Sequence, residues 1–107
     1  MAKKKHEDFQ LKFIRKSGGG FFRVYKDLFY HPKFQELSPN AKMIFIAMGI
    51  ASNGQREFTF PYSAYKGIVS KSCFIRAKEQ LKAAGFIDEK HYRTIANRYF
   101  LSDRWKE

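Results

Sequence analysis

The stretch SKSCFIRAKEQLKAAGFI, residues 70 to 87, constrains the fold of this chain more than any other. Ser70 supplies a side-chain oxygen for the unpaired N–H groups of a first helical turn. Phe74, Ala77, Leu81 and Ala84 recur at spacings of three and four, so a helix over 71 to 84 places them on one face. Gly85 is the natural stop, because a residue without a Cβ enters the left-handed conformation at no steric cost. Lys71, Arg76, Lys78 and Lys82 are then expected on the outer face. Directly afterwards, FIDEK and NRYFL alternate well enough to be strands, with HYRTIA between them, which reads as a β-hairpin.

Upstream, Ser38 followed by Pro39 gives a capping hydroxyl and a proline at the first helical position, and predicts a helix from about 39 to 52. Met43, Ile44, Phe45, Ile46, Met48 and Ile50 make it apolar all round. Such a helix is normally buried on more than one side, and in so small a domain one side is expected to meet a second copy of the chain. REFTF reads as a short strand, and Pro61 opens a short helix through YSAYKGI. Asp27 is expected to cap a short helix through LFYH that Pro32 ends. FQLKFI has the period of a half-buried strand, RKSGGG breaks it, and FFRVY is either a second strand or a lead-in to the core.

The chain has 107 residues, which fits a solvated basic tail over 1 to 8 and a single domain over 9 to 107. Lys and Arg total 21 against 10 Asp and Glu, a net charge of +11, which points to a polyanionic partner. The longest apolar run, MIFIAMGIA, is nine residues (43 to 51), and a membrane span needs about 20, so no membrane role is expected. MAKKKHEDF has a basic start without the apolar stretch of a signal peptide, and Cys73 has no second cysteine to pair with. These features favour a cytoplasmic protein.

A short helix, a turn, a basic helix and a hairpin form, in that order, the winged helix-turn-helix arrangement. Tyr62, Ser63 and Gly67 before Ser70, then Phe74, Arg76, Ala77, Leu81 and the GFI of 85 to 87, resemble the DNA-binding domains of phage and plasmid proteins of Gram-positive bacteria. FFRVYKDLF and LSPNAKMIFIAM are similar to the start of plasmid replication initiators of that class. The resemblance covers about residues 21 to 89 and implies an α+β fold: a three-helix core, a C-terminal hairpin wing and additional N-terminal strands. Replication initiators carry further domains beyond the winged helix, whereas this sequence runs to Glu107, which casts doubt on initiation itself. A free-standing basic winged helix also resembles accessory proteins of conjugative relaxosomes. The expected function is therefore binding of double-stranded DNA at an origin, an origin of transfer included, together with a relaxase or another DNA-processing protein. A transcriptional repressor is the alternative, and a map of binding sites separates the two.

The candidate contacts follow from geometry. An α-helix fits the major groove, and its N-terminal residues reach the base edges. Here those are Lys71, Ser72 and Cys73, with Ile75 and Arg76 one turn on. Arg76 either pairs with guanine or contacts phosphate. Lys90, His91, Tyr92, Arg93, Thr94, Asn97 and Arg98 lie within nine residues, and none is evidently required by a core. Such a density of donors on a projecting loop suits groove insertion or phosphate clamping, the alternative being a solvated loop. Lys3, Lys4 and Lys5 either follow the DNA backbone or solubilise the tail.

Other signals are weaker. Cys73 and His91 have no third orienting group, and His6 and His31 show no metal spacing. SGGG lacks the lysine of a phosphate loop. With no paired-carboxylate site evident, neither an enzyme nor a cofactor is expected. Most aromatic residues sit at core spacing; Phe9, Phe13, Phe22 and Trp105 do not, and a dimer surface would account for them.

Overall fold

The computed structural model describes residues 22–107. Among these, five α-helices and a three-stranded antiparallel sheet make an α+β fold: α1 Lys26–Phe29, α2 Pro32–Gln35, α3 Pro39–Ser52, β1 Glu57–Thr59, α4 Tyr62–Tyr65, α5 Lys71–Ala84, β2 Ile87–Lys90 and β3 Arg98–Leu101. A 3₁₀ turn, Arg104–Lys106, follows β3. The layout is compatible with a winged helix. No helix among the described residues is long and apolar enough to cross a membrane.

Both long helices begin as their caps require. The Ser38 hydroxyl accepts from the Ala41 N–H at 3.2 Å, with Pro39 in the first turn. The Ser70 hydroxyl accepts from the Cys73 N–H at 3.3 Å. α3 ends on Asn53 in the left-handed conformation. α5 ends on Gly85 at φ 87°, where the Phe86 N–H reaches Leu81 O (2.9 Å) and the Gly85 N–H reaches Lys82 O (3.2 Å). This is a Schellman close. Gly85 is required on a second count, since a Cβ there would lie 2.7 Å from the Trp105 backbone nitrogen.

The core lies where α3 and α5 cross against the sheet. Phe34, Ile44, Met48, Leu81, Phe86 and Ile87 are fully buried. Phe34, Phe45 and Phe86 meet edge to face in pairs at 5.6–5.8 Å, and Tyr65 stacks on Phe74 at 4.0 Å. These rings are structural, each contributing its large apolar area to the interior.

Several expectations change. Asp27 caps nothing: Tyr25 is the N-cap of α1, without a side-chain hydrogen bond, and Asp27 sits in the first turn. Pro32 does not merely end a helix; it opens α2, where His31 Nδ1 accepts from the Lys33 N–H at 3.2 Å. Residues 22 to 25 are not a strand but a lead-in, with Phe22 edge-on to Phe45 at 5.7 Å and lying over Gly49. A Cβ at Gly49 would collide with the Phe22 ring, so glycine is what lets the lead-in approach α3. Trp105 is not left over for a dimer surface. It is buried, stacked on Phe86 at 5.7 Å, with His31 edge-on at 5.2 Å. α3 buries Ala41, Ile44, Phe45, Met48, Gly49 and Ser52 within the domain and leaves Met43 and Ile50 54% and 60% exposed. The tail over 1 to 8, the expected strand FQLKFI and the glycine run lie outside the described residues.

The sheet order is β1-β3-β2. In the hairpin, Ile87 pairs Leu101, Asp88 pairs Phe100, Glu89 pairs Tyr99 and Lys90 pairs Arg98. β1 adds to the far edge of β3, with Phe58 opposite Tyr99. Period-two alternation then turns Ile87 and Glu89 to the same face, the one that carries the core.

Candidate nucleic-acid interface

Two groups of exposed cations lie on elements that Lys78, Lys82 and Glu89 join, one on α5 and one on the loop between β2 and β3. On α5, Lys71, Ser72, Ile75 and Arg76 are exposed. Their positions follow from the core face: at about 3.6 residues per turn, with Phe74, Ala77 and Leu81 inside, Ser72, Ile75 and Arg76 fall on the far side of the helix and Lys71 on its flank. Neither Lys71 nor Arg76 has an ion-pair partner among the described residues. Ser72 Oγ lies 3.3 Å from Ser70 Oγ, so its hydroxyl is shared with the helix cap. Cys73 is only partly exposed, since its side of the helix turns toward the interior.

Lys78 and Lys82 behave differently from the outer-face expectation. Both turn toward the sheet and hold Glu89, a carboxylate whose side chain is 0% exposed. Lys78 Nζ reaches Oε2 at 3.2 Å and Lys82 Nζ reaches Oε1 at 3.1 Å. Asn97 Nδ2 donates to Oε2 at 3.0 Å from the far end of the loop, and His91 Nε2 lies 3.5 Å from Oε1. Burial pushes the Glu89 carboxyl up, but the Lys82 hydrogen bond and the Lys78 charge outweigh it and hold it below the usual carboxylate range. The Glu89 hydrogen bond raises Lys82 in turn. Burial, then the Glu89 charge, pushes the neighbouring Tyr99 phenol well above its ordinary value.

This cluster gives the loop its shape. Glu89 lies near the end of β2 and Asn97 precedes β3, so a bond between them closes the base of the loop; the two lysines fasten that base to α5. Beyond it, residues 91 to 96 are all exposed. Arg93 and Thr94 project with no hydrogen-bond or ion-pair partner among the described residues. Tyr92 and Arg98 lean toward β1, with the Tyr92 hydroxyl 3.5 Å and Arg98 Nε 4.0 Å from Glu57 Oε1. Such long, exposed contacts hold little energy and yield readily to a better partner. Lys90 lies over the Phe100 ring at 6.0 Å.

The sequence-based candidates therefore divide. Lys71, Ser72, Arg76, Lys90, His91, Tyr92, Arg93, Thr94 and Arg98 are at least partly exposed around the helix start and the loop. Asn97 faces inward, as a support for Glu89. Lys3, Lys4 and Lys5 lie outside the described residues. Sequence reasoning overlooked Glu89. The signal was present, since Glu89 falls two residues after Ile87 on a strand, hence on the core face, where a carboxylate requires a cationic partner. Among the described residues no group of three His, Cys, Asp or Glu could hold a metal ion.

Comparison with protein-family models, with curated proteins and with solved structures gives no match to this chain.

Proposed function

We propose that this chain is a winged helix-turn-helix protein that binds double-stranded DNA sequence-specifically, with α5 in the major groove and the β2–β3 loop as the wing. The supporting observation is the contrast among its cations. Lys78 and Lys82 are consumed by Glu89, whereas Lys71, Arg76 and Arg93 stand exposed without an ion-pair partner among the described residues, on the two adjoining elements that Glu89 fastens together. Unpaired cations on a preorganised surface suit a polyanion, because no internal ion pair has to break on binding. The net charge of +11 supports the same partner.

In the organism the protein would mark an origin of a plasmid or related mobile element, such as an origin of transfer, and help to assemble a relaxase or replication complex there. It would act as a homodimer, with α3 as the contact: Met43 and Ile50 are seven residues apart on one exposed stripe, and no charged residue lies between them.

Footprinting on DNA flanking its own gene tests the reading. Protected repeats at a transfer or replication origin are expected. Protection of a promoter operator instead would make the protein a repressor. Absence of any salt-dependent duplex binding would remove the DNA-binding function altogether.

A further inference from the structure

Ile75 is 46% exposed on α5. Its helical neighbours at the preceding and following turns are Lys71, Ser72 and Glu79, with Arg76 beside it, all exposed and polar or charged. The packed core of α5 does not include this isoleucine. The core face of α5 is Phe74, Ala77 and Leu81, on another side of the helix. A β-branched side chain is a poorer helix former than Ala, Lys or Glu, and at this position burial does not offset that.

Its place on the helix is specific. Lys71, Ile75, Lys78 and Lys82 are spaced by four, three and four residues, so they form one stripe along α5. The two C-terminal members are turned to Glu89 at the base of the loop. Ile75 is thus the first member of the stripe beyond the anchored pair, between it and the unpaired Lys71, on the flank nearer the loop. A protein partner would call for a contiguous apolar patch, and the polar side chains surrounding Ile75 on the helix do not make one. A small apolar group flanked by hydrogen-bonding and anionic ones is a better match. On duplex DNA the major-groove edge offers one such group, the C5-methyl of thymine.

We propose that Ile75 is a specificity-determining residue that reads a thymine methyl in the major groove. The proposal rests on the DNA-binding reading above and deepens it: the preferred site contains a thymine opposite the first two turns of α5, next to the base or phosphate met by Arg76.

The test works without the natural site in hand. The full chain selects a preferred duplex from a random library, and each thymine in that duplex is replaced singly by uracil, which removes the methyl and leaves pairing intact. Wild-type affinity should fall about fourfold at one or two positions, the size expected for one methyl-sized group withdrawn from water. Ile75→Ala, at an exposed helical position, should keep its thermal midpoint and discriminate less between the thymine and uracil duplexes than wild type, because the shorter side chain covers less of the methyl. Ile95→Ala, which removes an exposed isoleucine of the loop, should retain the full wild-type discrimination. The assignment to Ile75 is overturned if no thymine is sensitive, if Ile75→Ala discriminates as well as wild type, or if Ile95→Ala is the variant that loses discrimination. A library from which nothing is enriched overturns the DNA-binding reading as well; enrichment without a uracil effect overturns only the inference about Ile75.

Discussion

Glu89 Oε1 and Lys82 Nζ lie 3.1 Å apart, and this pair, with Lys78 on the other carboxylate oxygen, joins the basic helix to the strand that leads into the exposed loop. The helix and the loop are thereby held as one surface. A buried carboxylate flanked by two ammonium groups is a costly device for stability alone, because desolvation of the charges cancels much of their attraction. Its value lies in fixing the relative position of the two elements.

Removing the charge should therefore be expensive. Glu89→Gln leaves Lys78 and Lys82 facing each other without a counter-charge, and is expected to lower folding stability by about 3 kcal/mol in urea unfolding. A loss under about 1 kcal/mol would mean that the cluster is solvated and holds nothing.

The same carboxyl sets an acid limit. Its folded-state pKa is lowered from the ordinary 4.5, so its contribution is fully present above that value and is lost as pH falls through the folded-state value. Lys82 has the opposite sign: raised from 10.5, it contributes below that value and loses its contribution only as pH rises beyond it. The stability gap between wild type and Glu89→Gln should be flat from about pH 6 to pH 9 and should narrow below about pH 4. Thermal midpoints of both proteins across that range check it; a gap that widens on acidification would reverse the assignment.

The loop should contribute as much to DNA affinity as the helix does. Arg93→Ala and Arg76→Ala are each expected to weaken binding by about 1–3 kcal/mol, measured by fluorescence anisotropy at fixed salt. Intact affinity in Arg93→Ala beside abolished binding in Arg76→Ala would show that the loop is a bystander.

The N-terminal lysines offer a reading through salt. If Lys3, Lys4 and Lys5 contact phosphates, replacing all three with alanine should make the plot of log affinity against log salt shallower by about three units. An unchanged slope assigns them to solubility.

Dimerisation through α3 should fail when its exposed stripe is charged. Ile50→Asp, at a position 60% exposed, should leave the fold intact and convert a dimer to a monomer in sedimentation equilibrium. A monomeric wild type, or a variant that stays dimeric, would exclude this face.

The amino-acid sequence by itself determined what short-range chemistry can determine. Ser38 and Ser70 start their helices and Gly85 closes one, because capping and left-handed turns depend on atoms within a few residues. The hairpin was legible as well, from the alternation within FIDEK and NRYFL. Tertiary structure alone decided which basic side chains remain free. On the helix Lys71 and Lys82 look equivalent, yet of the two only Lys82 meets a carboxylate among the described residues, since that depends on how α5 docks on β2. The docking likewise turned Trp105 from an apparent surface residue into the lid of the Phe86 ring, and brought β1 to the edge of β3 as a third strand. Each of these contacts crosses from one element to another, and the periodicity within a single element does not record how two elements dock. Whether a charge is spent inside the protein or left for a partner is settled by packing, because only packing sets its distance from the opposite charge and from water.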